Sequence, residues 1–269
     1  MILSDSAATA TRSSRDQLSP ADLDLVVPAR NEEERIGPTI VALSEHLASR
    51  PWRSRILVVD NGSVDGTSEV VDGHVGAVPI EVIGCRARGK GAAVQMGMAH
   101  STARWVGYCD ADLSTPAATV DDGVNLLRRG YRVVVGSRRC EGADYLVSQP
   151  VSRRIGSRVF QVLAGRMVGG ISDTQCGFKL FEGEVGRRLF ASSRVAGFAF
   201  DVEVLALAHH QGLSVIEVPV AWSDRDGSTF RPLTDGIRAV SDLRTVRRAM
   251  QAHTAALPER QGLSGLQHL

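Results

Sequence analysis

Between residues 23 and 136, five short apolar runs alternate with segments of helical character, and this alternation constrains the fold more than any other feature of the chain. The runs are Leu23–Ala29, Ile56–Asp60, Ile80–Gly84, Trp105–Cys109 and Val133–Gly136. The intervening stretches at 33–49, after Asp65, 90–101 and 116–129 read as helices. Short β-rich runs alternating with helices predict an α/β fold: one mostly parallel, Rossmann-like sheet with helices on both faces. In such sheets ligands bind beyond the carboxyl ends of the strands, so the polar residues after each run are the first candidates for chemistry.

Farther along, the pattern loosens. Residues 151–168 read as a helix with basic residues in its first two turns, and 172–181 as a turn-rich segment. Residues 200–211 read as a helix, 213–222 as a strand and 223–231 as a polar loop. In a last helix over 232–250, Ile237, Val240, Leu243, Val246 and Met250 recur at helical spacing. The expected organisation is a disordered segment at 1–20, one catalytic domain at 21–253 and a flexible tail at 254–269. A chain of 269 residues is long enough to bury one large core.

The strand ends have unusual contents. The first run leads into Pro28-Ala29-Arg30-Asn31-Glu32, and the second ends in Asp60-Asn61-Gly62-Ser63. The third leads to Arg88-Gly89-Lys90-Gly91, the fourth to Asp110-Ala111-Asp112, and the fifth to Ser137-Arg138. Carboxylates, glycines and cations thus converge on one rim. Two carboxylates one residue apart can share a hard cation such as Mg²⁺ or Mn²⁺ with substrate phosphates. Asp-x-Asp is a common tripeptide, and a solvated loop would explain it in isolation; its place after the fourth strand favours the metal. Asp60, followed by Gly62, suits hydrogen bonding to a base or ribose, and Ser63 or Asp65 suits capping of the next helix. Lys90 and the amides around it suit an anion at a helix start.

Several classes are excluded. There is no Gly-x-x-x-x-Gly-Lys-Ser/Thr loop and no Gly-x-Gly-x-x-Gly after the first strand, which argues against a Walker-type nucleotidase and a dinucleotide dehydrogenase. The net charge of +1 carries no nucleic-acid signal. The four cysteines show no zinc spacing and read as reduced, small hydrophobes in a cytoplasmic setting. No stretch approaches the roughly 18 apolar residues of a membrane span. If the acceptor is a lipid, the chain meets the membrane peripherally. Arg238, Arg244, Arg247 and Arg248 beside the last helix's apolar stripe fit an anionic surface, and core packing explains the same stripe.

Taken in order, these strand ends, together with Asp173-Thr174-Gln175-Cys176-Gly177-Phe178-Lys179 and Phe200-Asp201-Val202-Glu203, resemble family 2 glycosyltransferases of the GT-A fold. The resemblance covers about residues 23–230 and is greatest to the polyprenyl-phosphate hexose synthase branch, its glucosyl members more than its mannosyl ones. It implies an inverting hexose transfer from a nucleotide-sugar, UDP-glucose or alternatively GDP-mannose, to a polyprenyl phosphate, with Mg²⁺ or Mn²⁺. By resemblance, Pro28, Asn31, Glu32 and Asp60 line the nucleotide pocket, Lys90 and Ala111 sit by the nucleotide, and Asp110 and Asp112 hold the metal. Arg138, Arg153, Ser157 and Arg225 hold the acceptor phosphate, with Arg154 and Arg158 as alternatives to Arg153. Two readings of Asp201 compete: a base acting on the acceptor, and a cap on its own helix, a choice that extends to Glu203. The sequence departs from the family at Asn61, where a second acid is usual, and at Thr229, where a lysine is frequent. The competing functions are the same transfer to a soluble acceptor and nucleotide-sugar binding without turnover.

Overall fold

The structure is a computed structural model, and it describes residues 21–143, 164–165, 167–222, 241–248 and 250–251. Seven strands form one sheet: β1 (Leu23–Ala29), β2 (Ser54–Asp60), β3 (Ile80–Gly84), β4 (Trp105–Tyr108), β5 (Val133–Ser137), β6 (Lys179–Glu182) and β7 (Val215–Pro219). Their order is β3-β2-β1-β4-β6-β5-β7. β6 pairs antiparallel with both of its neighbours, and the other pairings are parallel. The helices are α1 (Glu33–Ala48), α2 (Thr67–Asp72), α3 (Lys90–His100), α4 (Thr119–Arg128), α5 (Gly183–Ser192) and α6 (Phe200–His210). Residues 241–248 are also helical.

Four of the five apolar runs form strands buried on both faces, as a sheet covered on both sides requires, while β3 at the edge is only partly buried. The two-residue period sorts their side chains between two cores. Leu25, Val27, Ile56, Val58 and Val134 face α1, α2 and α4, through Ile40, Leu43, Val71 and Val124. Val26, Leu57, Val59, Val133 and Val135 face α3, α5 and α6, through Val94, Met98, Leu189 and Val204. α6 is buried at every position from Phe200 to Ala208, the acidic Asp201 and Glu203 included, so it is not an amphipathic surface helix.

The strand order reverses between β1 and β4. α1 and α2 carry the chain outward to β3; α3 then returns it across the sheet to β4, on the other side of β1. The β1–β4 ladder stops at Val26↔Tyr108, whereas β1 follows β2 as far as Ala29↔Asp60. Pro28, which has no N–H, lies in the part of β1 beyond its pairing with β4. A crevice therefore opens beyond β1 and β4, at the topological switch point.

Two elements differ from the sequence expectation. Residues 179–181, expected at the end of the turn-rich segment 172–181, form β6 together with Glu182, and α5 follows directly. β6 is four residues long and begins at a fully buried lysine, so neither its length nor its polarity reads as an inner strand. In the last helix, Leu243 and Val246 are buried in the core while Arg244, Arg247 and Arg248 are exposed, which accounts for that part of the stripe by packing. No helix among the described residues is long and apolar enough to cross a membrane. The expected segments at 1–20 and 254–269, most of the expected helix at 151–168, and Ile237, Arg238, Val240 and the 223–231 loop lie outside the described residues.

Candidate active site at the switch-point rim

β1, β2, β4 and β5 run in one direction and end on one rim, so their loops meet around the crevice. The loops after β1 and β2 clasp each other. Asn31 has a left-handed backbone (φ 54°), a conformation asparagine tolerates better than most residues. Its N–H donates to Ser63 Oγ (3.0 Å), and its Oδ1 accepts from the Val64 N–H (3.0 Å). Ser63 in turn donates from both its N–H and its hydroxyl to Asp60 Oδ1, and Ser68 Oγ donates to Asp60 Oδ2 (2.9 Å). The Glu32 N–H donates to Thr67 Oγ1 (2.8 Å). Asp65 accepts from the Thr67 N–H at the start of α2, the capping role read from sequence.

Asn61 explains its own departure from the family pattern. Its Nδ2 donates to the Ala87 carbonyl (2.6 Å), and its Oδ1 accepts from the Gly89 N–H (2.8 Å). The amide thus clamps the loop after β3 with one donor and one acceptor, which a carboxylate cannot do. Asn61→Asp is expected to set an oxygen against the Ala87 carbonyl and to cost about 1–3 kcal/mol. Thermal denaturation measures the loss.

The clamp fixes the start of α3. Gly89 has φ 122°, and a Cβ there would overlap the Ala196 carbonyl. That same carbonyl accepts from the Gly91 N–H (2.9 Å) and the Ala92 N–H (3.4 Å). Of the amides expected from sequence to face an anion at this helix start, those of Gly89 and Gly91 are engaged instead by Asn61 and Ala196. Lys90 keeps the cationic role. Its ammonium bonds to Asp110 Oδ1. Burial disfavours the charge, but Asp110, Asp201 and Asp112 outweigh it and raise the Lys90 pKa to about 12.

Asp110 is bounded on its other side by the backbone at Gly177. A Cβ on Gly177 would overlap the whole carboxylate; the farthest of its three atoms would lie only 2.6 Å away. The loop itself is held from below, where Thr39 Oγ1 of α1 donates to the Ala111 carbonyl (2.7 Å). Ala111 is buried, and Asp112 Oδ1 accepts from the Ser114 N–H (3.0 Å). Glu32 completes the acidic side. Its carboxyl is raised above the usual range by burial and by Asp112 and Asp110, against the pull of Arg35, whose Nη lies 2.6 Å away.

No group of three or more metal-ligating side chains converges among the described residues. Asp110 and Asp112 nonetheless fit a hard divalent cation. They offer oxygen donors on a partly open rim, with Asp110 about a third exposed, in the arrangement in which substrate phosphates complete the shell.

Arg138 anchors a second cluster. Its Nε and one Nη grip Asp173 (2.7 and 2.9 Å), its N–H donates to the same carboxylate (3.0 Å), and its guanidinium lies 5.3 Å from the Trp222 ring centre. Burial raises the Asp173 pKa, but the bonds from Arg138 more than reverse this, so the carboxyl stays below its ordinary value. Glu217 of β7 accepts from the N–H groups of Ser172 (3.0 Å) and Asp173 (3.1 Å).

Asp201, considered from sequence as a base or a cap, is 4% exposed; it is neither open to the rim nor bonded to its helix's first N–H groups. Its Oδ1 accepts from Tyr108 Oη and from Lys179 Nζ (2.6 Å). Lys179 is fully buried and also donates to the Cys176 carbonyl (2.7 Å). Glu203 accepts from Ser193 Oγ and from the N–H groups of Arg194 and Val195, holding the loop before α6.

The rim therefore brings together Asn31, Glu32, Asp60, Lys90, Asp110 and Asp112, with Pro28 in the strand beneath. Arg138 stands in a neighbouring cluster. Arg153, Ser157 and Arg225 lie outside the described residues. Residues 173–179 link the clusters, running from Asp173 on Arg138, past Gly177 on Asp110, to Lys179 on Asp201. In sequence this segment is legible only as a motif without a role. The signal available was a lysine at the start of an otherwise apolar Lys-Leu-Phe run.

The family model described as glycosyl transferase family 2 matches residues 24–182. The chain is 34% identical over 251 residues to a dolichyl-phosphate beta-glucosyltransferase of Drosophila melanogaster, covering 87% of this chain and 77% of that one. To the dolichyl-phosphate beta-glucosyltransferase of Homo sapiens it is 32% identical over 241 residues, covering 84% and 74%. Among solved structures, mannosyl-3-phosphoglycerate synthase from Rubrobacter xylanophilus superposes with a TM-score of 0.66 at 23% identity, over 90% of this chain and 78% of that one. Glucosyl-3-phosphoglycerate synthase from Mycobacterium tuberculosis, in complex with Mn²⁺ and UDP-glucose, superposes with a TM-score of 0.63 at 16% identity, over 84% and 79%. These two likenesses establish a shared GT-A architecture.

Proposed function

The chain belongs to glycosyl transferase family 2, and we propose that this glycosyltransferase moves glucose from UDP-glucose to a polyprenyl phosphate such as dolichyl phosphate, with inversion and with Mg²⁺ or Mn²⁺. The observation that carries the proposal is the pair Asp110 and Asp112 at the switch-point crevice, with Lys90 on Asp110, in a chain whose relatives are dolichyl-phosphate glucosyltransferases.

The chemistry follows from the rim. Asn31, Glu32 and Asp60 line the crevice where the nucleotide enters, and Asp110 and Asp112 would hold the metal. When bound, the metal supplies charge stabilisation to the departing diphosphate. Lys90 adds a second positive charge on the same side. The acceptor phosphate is ionised at neutral pH, so its oxygen attacks the anomeric carbon without a general base. This agrees with an Asp201 held inside by Tyr108 and Lys179, in an anchoring role. Arg138, whose fork is held by Asp173, would reach an acceptor phosphate only with the part of its guanidinium that Asp173 leaves over. Catalysis then rests on positioning and on fixed charge.

The test uses purified protein, Mg²⁺ or Mn²⁺, labelled UDP-glucose or GDP-mannose, and a short polyprenyl phosphate. Label is expected in the organic phase from UDP-glucose, and Asp112→Ala is expected to lower the rate about 10³-fold, the loss of several kcal/mol of charge stabilisation. Transfer only to a soluble phosphorylated acceptor would replace the lipid reading. Donor binding without turnover on any acceptor would leave a binding protein.

A further inference from the structure

The metal-binding reading has a consequence for Lys90. Its ammonium bonds to Oδ1 of a carboxylate that would hold the divalent cation, and the backbone at Gly177 packs against the same carboxylate, so that a Cβ there would overlap Oδ2. The ammonium and a metal ion cannot share Asp110 Oδ1 without strong repulsion. The Gly91 and Ala92 amides of α3 are engaged by Ala196, and the Lys90 side chain is the positive charge this helix start can offer a phosphate. Both partners are partly open, Lys90 at 23% and Asp110 at 32%, so the lysine has room to swing outward.

Resting on the assignment of Asp110 and Asp112 as metal ligands, we propose that Lys90 is an internal counter-ion that keeps free divalent metal off Asp110. It would yield the carboxylate only to metal arriving with the nucleotide diphosphate, onto which the displaced ammonium moves. Metal alone must displace the lysine without compensation. Metal with the diphosphate gives it a new partner. The two ligands then bind cooperatively, and the cooperativity resides in one side chain. A lysine that merely braced Asp110 would favour both ligands alike.

The opposite signs are measurable. Mn²⁺ binding to the whole protein is followed by electron paramagnetic resonance with and without UDP, and UDP binding by calorimetry, for wild type, Lys90→Met, Lys90→Gln and Asp110→Asn. The two Lys90 variants are expected to bind Mn²⁺ alone about tenfold or more tightly than wild type, and UDP in the presence of Mn²⁺ about tenfold or more weakly. Thermal midpoints identify any variant that is not folded, and the glutamine variant keeps a polar group at the site should methionine disturb it. If both ligands weaken in the folded variants, Lys90 is only a brace and the proposal is overturned. If Asp110→Asn leaves Mn²⁺ binding with UDP unchanged, the metal assignment fails and the proposal falls with it.

Discussion

Gly177→Ala is expected to lower metal-dependent donor binding and transfer by about 100-fold while leaving the protein folded, because a misplacement of about 1 Å at a reacting centre has an effect of this size. The argument is steric and local. Gly177 does not have a positive φ, so alanine is tolerated by the backbone at this position. The obstacle is the Asp110 carboxylate, which the new methyl would overlap. A carboxylate at the end of a side chain moves more easily than a backbone, so Asp110 gives way and the sheet does not. Swinging away from Gly177, it loses its proposed metal-binding position and disturbs the contact with Lys90. Gly84→Ala serves as the control, because nothing lies within 4 Å of a Cβ there and its φ is not positive. UDP titrations with and without Mn²⁺ separate the outcomes. A Gly177→Ala protein that keeps wild-type metal-dependent binding would show that the placement of Asp110 does not govern the metal.

What could be read from the chain in advance, and what could not, divides along sequence distance. The first five strands announce themselves because each is a local apolar run ending in polar residues, and the rim follows once those runs are taken as parallel. β6 does not, because its buried Lys179 is satisfied by Asp201, 22 residues later, and by the Cys176 carbonyl. A lysine of this kind reads as surface until its partner is known. In sequence Asn61 is only a departure from a motif, since its value lies in the Ala87 and Gly89 backbone groups, 26 and 28 residues away. Arg138 reads from sequence as a cation at a strand end, but its grip on Asp173 spans 35 residues. Glu203 reads from sequence as a base or a cap on its own helix, and the structure shows it closing the preceding loop. The residue types were legible; the pairings that orient them depend on the assembled sheet.

The buried pair beneath the rim yields the largest expected effect on stability. Lys179→Met removes a cation with no solvent exposure and leaves Asp201, at 4% exposure, without its compensating charge. Breaking such a pair from one side costs about 3–5 kcal/mol, a large share of a typical total of about 5–15 kcal/mol. The tyrosine hydroxyl still donates to Asp201, but a hydroxyl dipole does not neutralise a carboxylate. The double variant Lys179→Met with Asp201→Asn removes both charges and keeps an acceptor for Tyr108, so it is expected to recover most of the loss. Urea denaturation of wild type, both single variants and the double variant gives the coupling energy directly. A Lys179→Met protein as stable as wild type would mean that the Lys179–Asp201 pair does not hold the fold together. The double variant has a second use. It lacks the ammonium that holds the Cys176 carbonyl, the group joined to Gly177, so its UDP affinity in the presence of Mn²⁺ is expected to stay below wild type even where its stability returns. Stability restored together with full affinity would confine Lys179 to the fold and detach it from the wall behind Asp110.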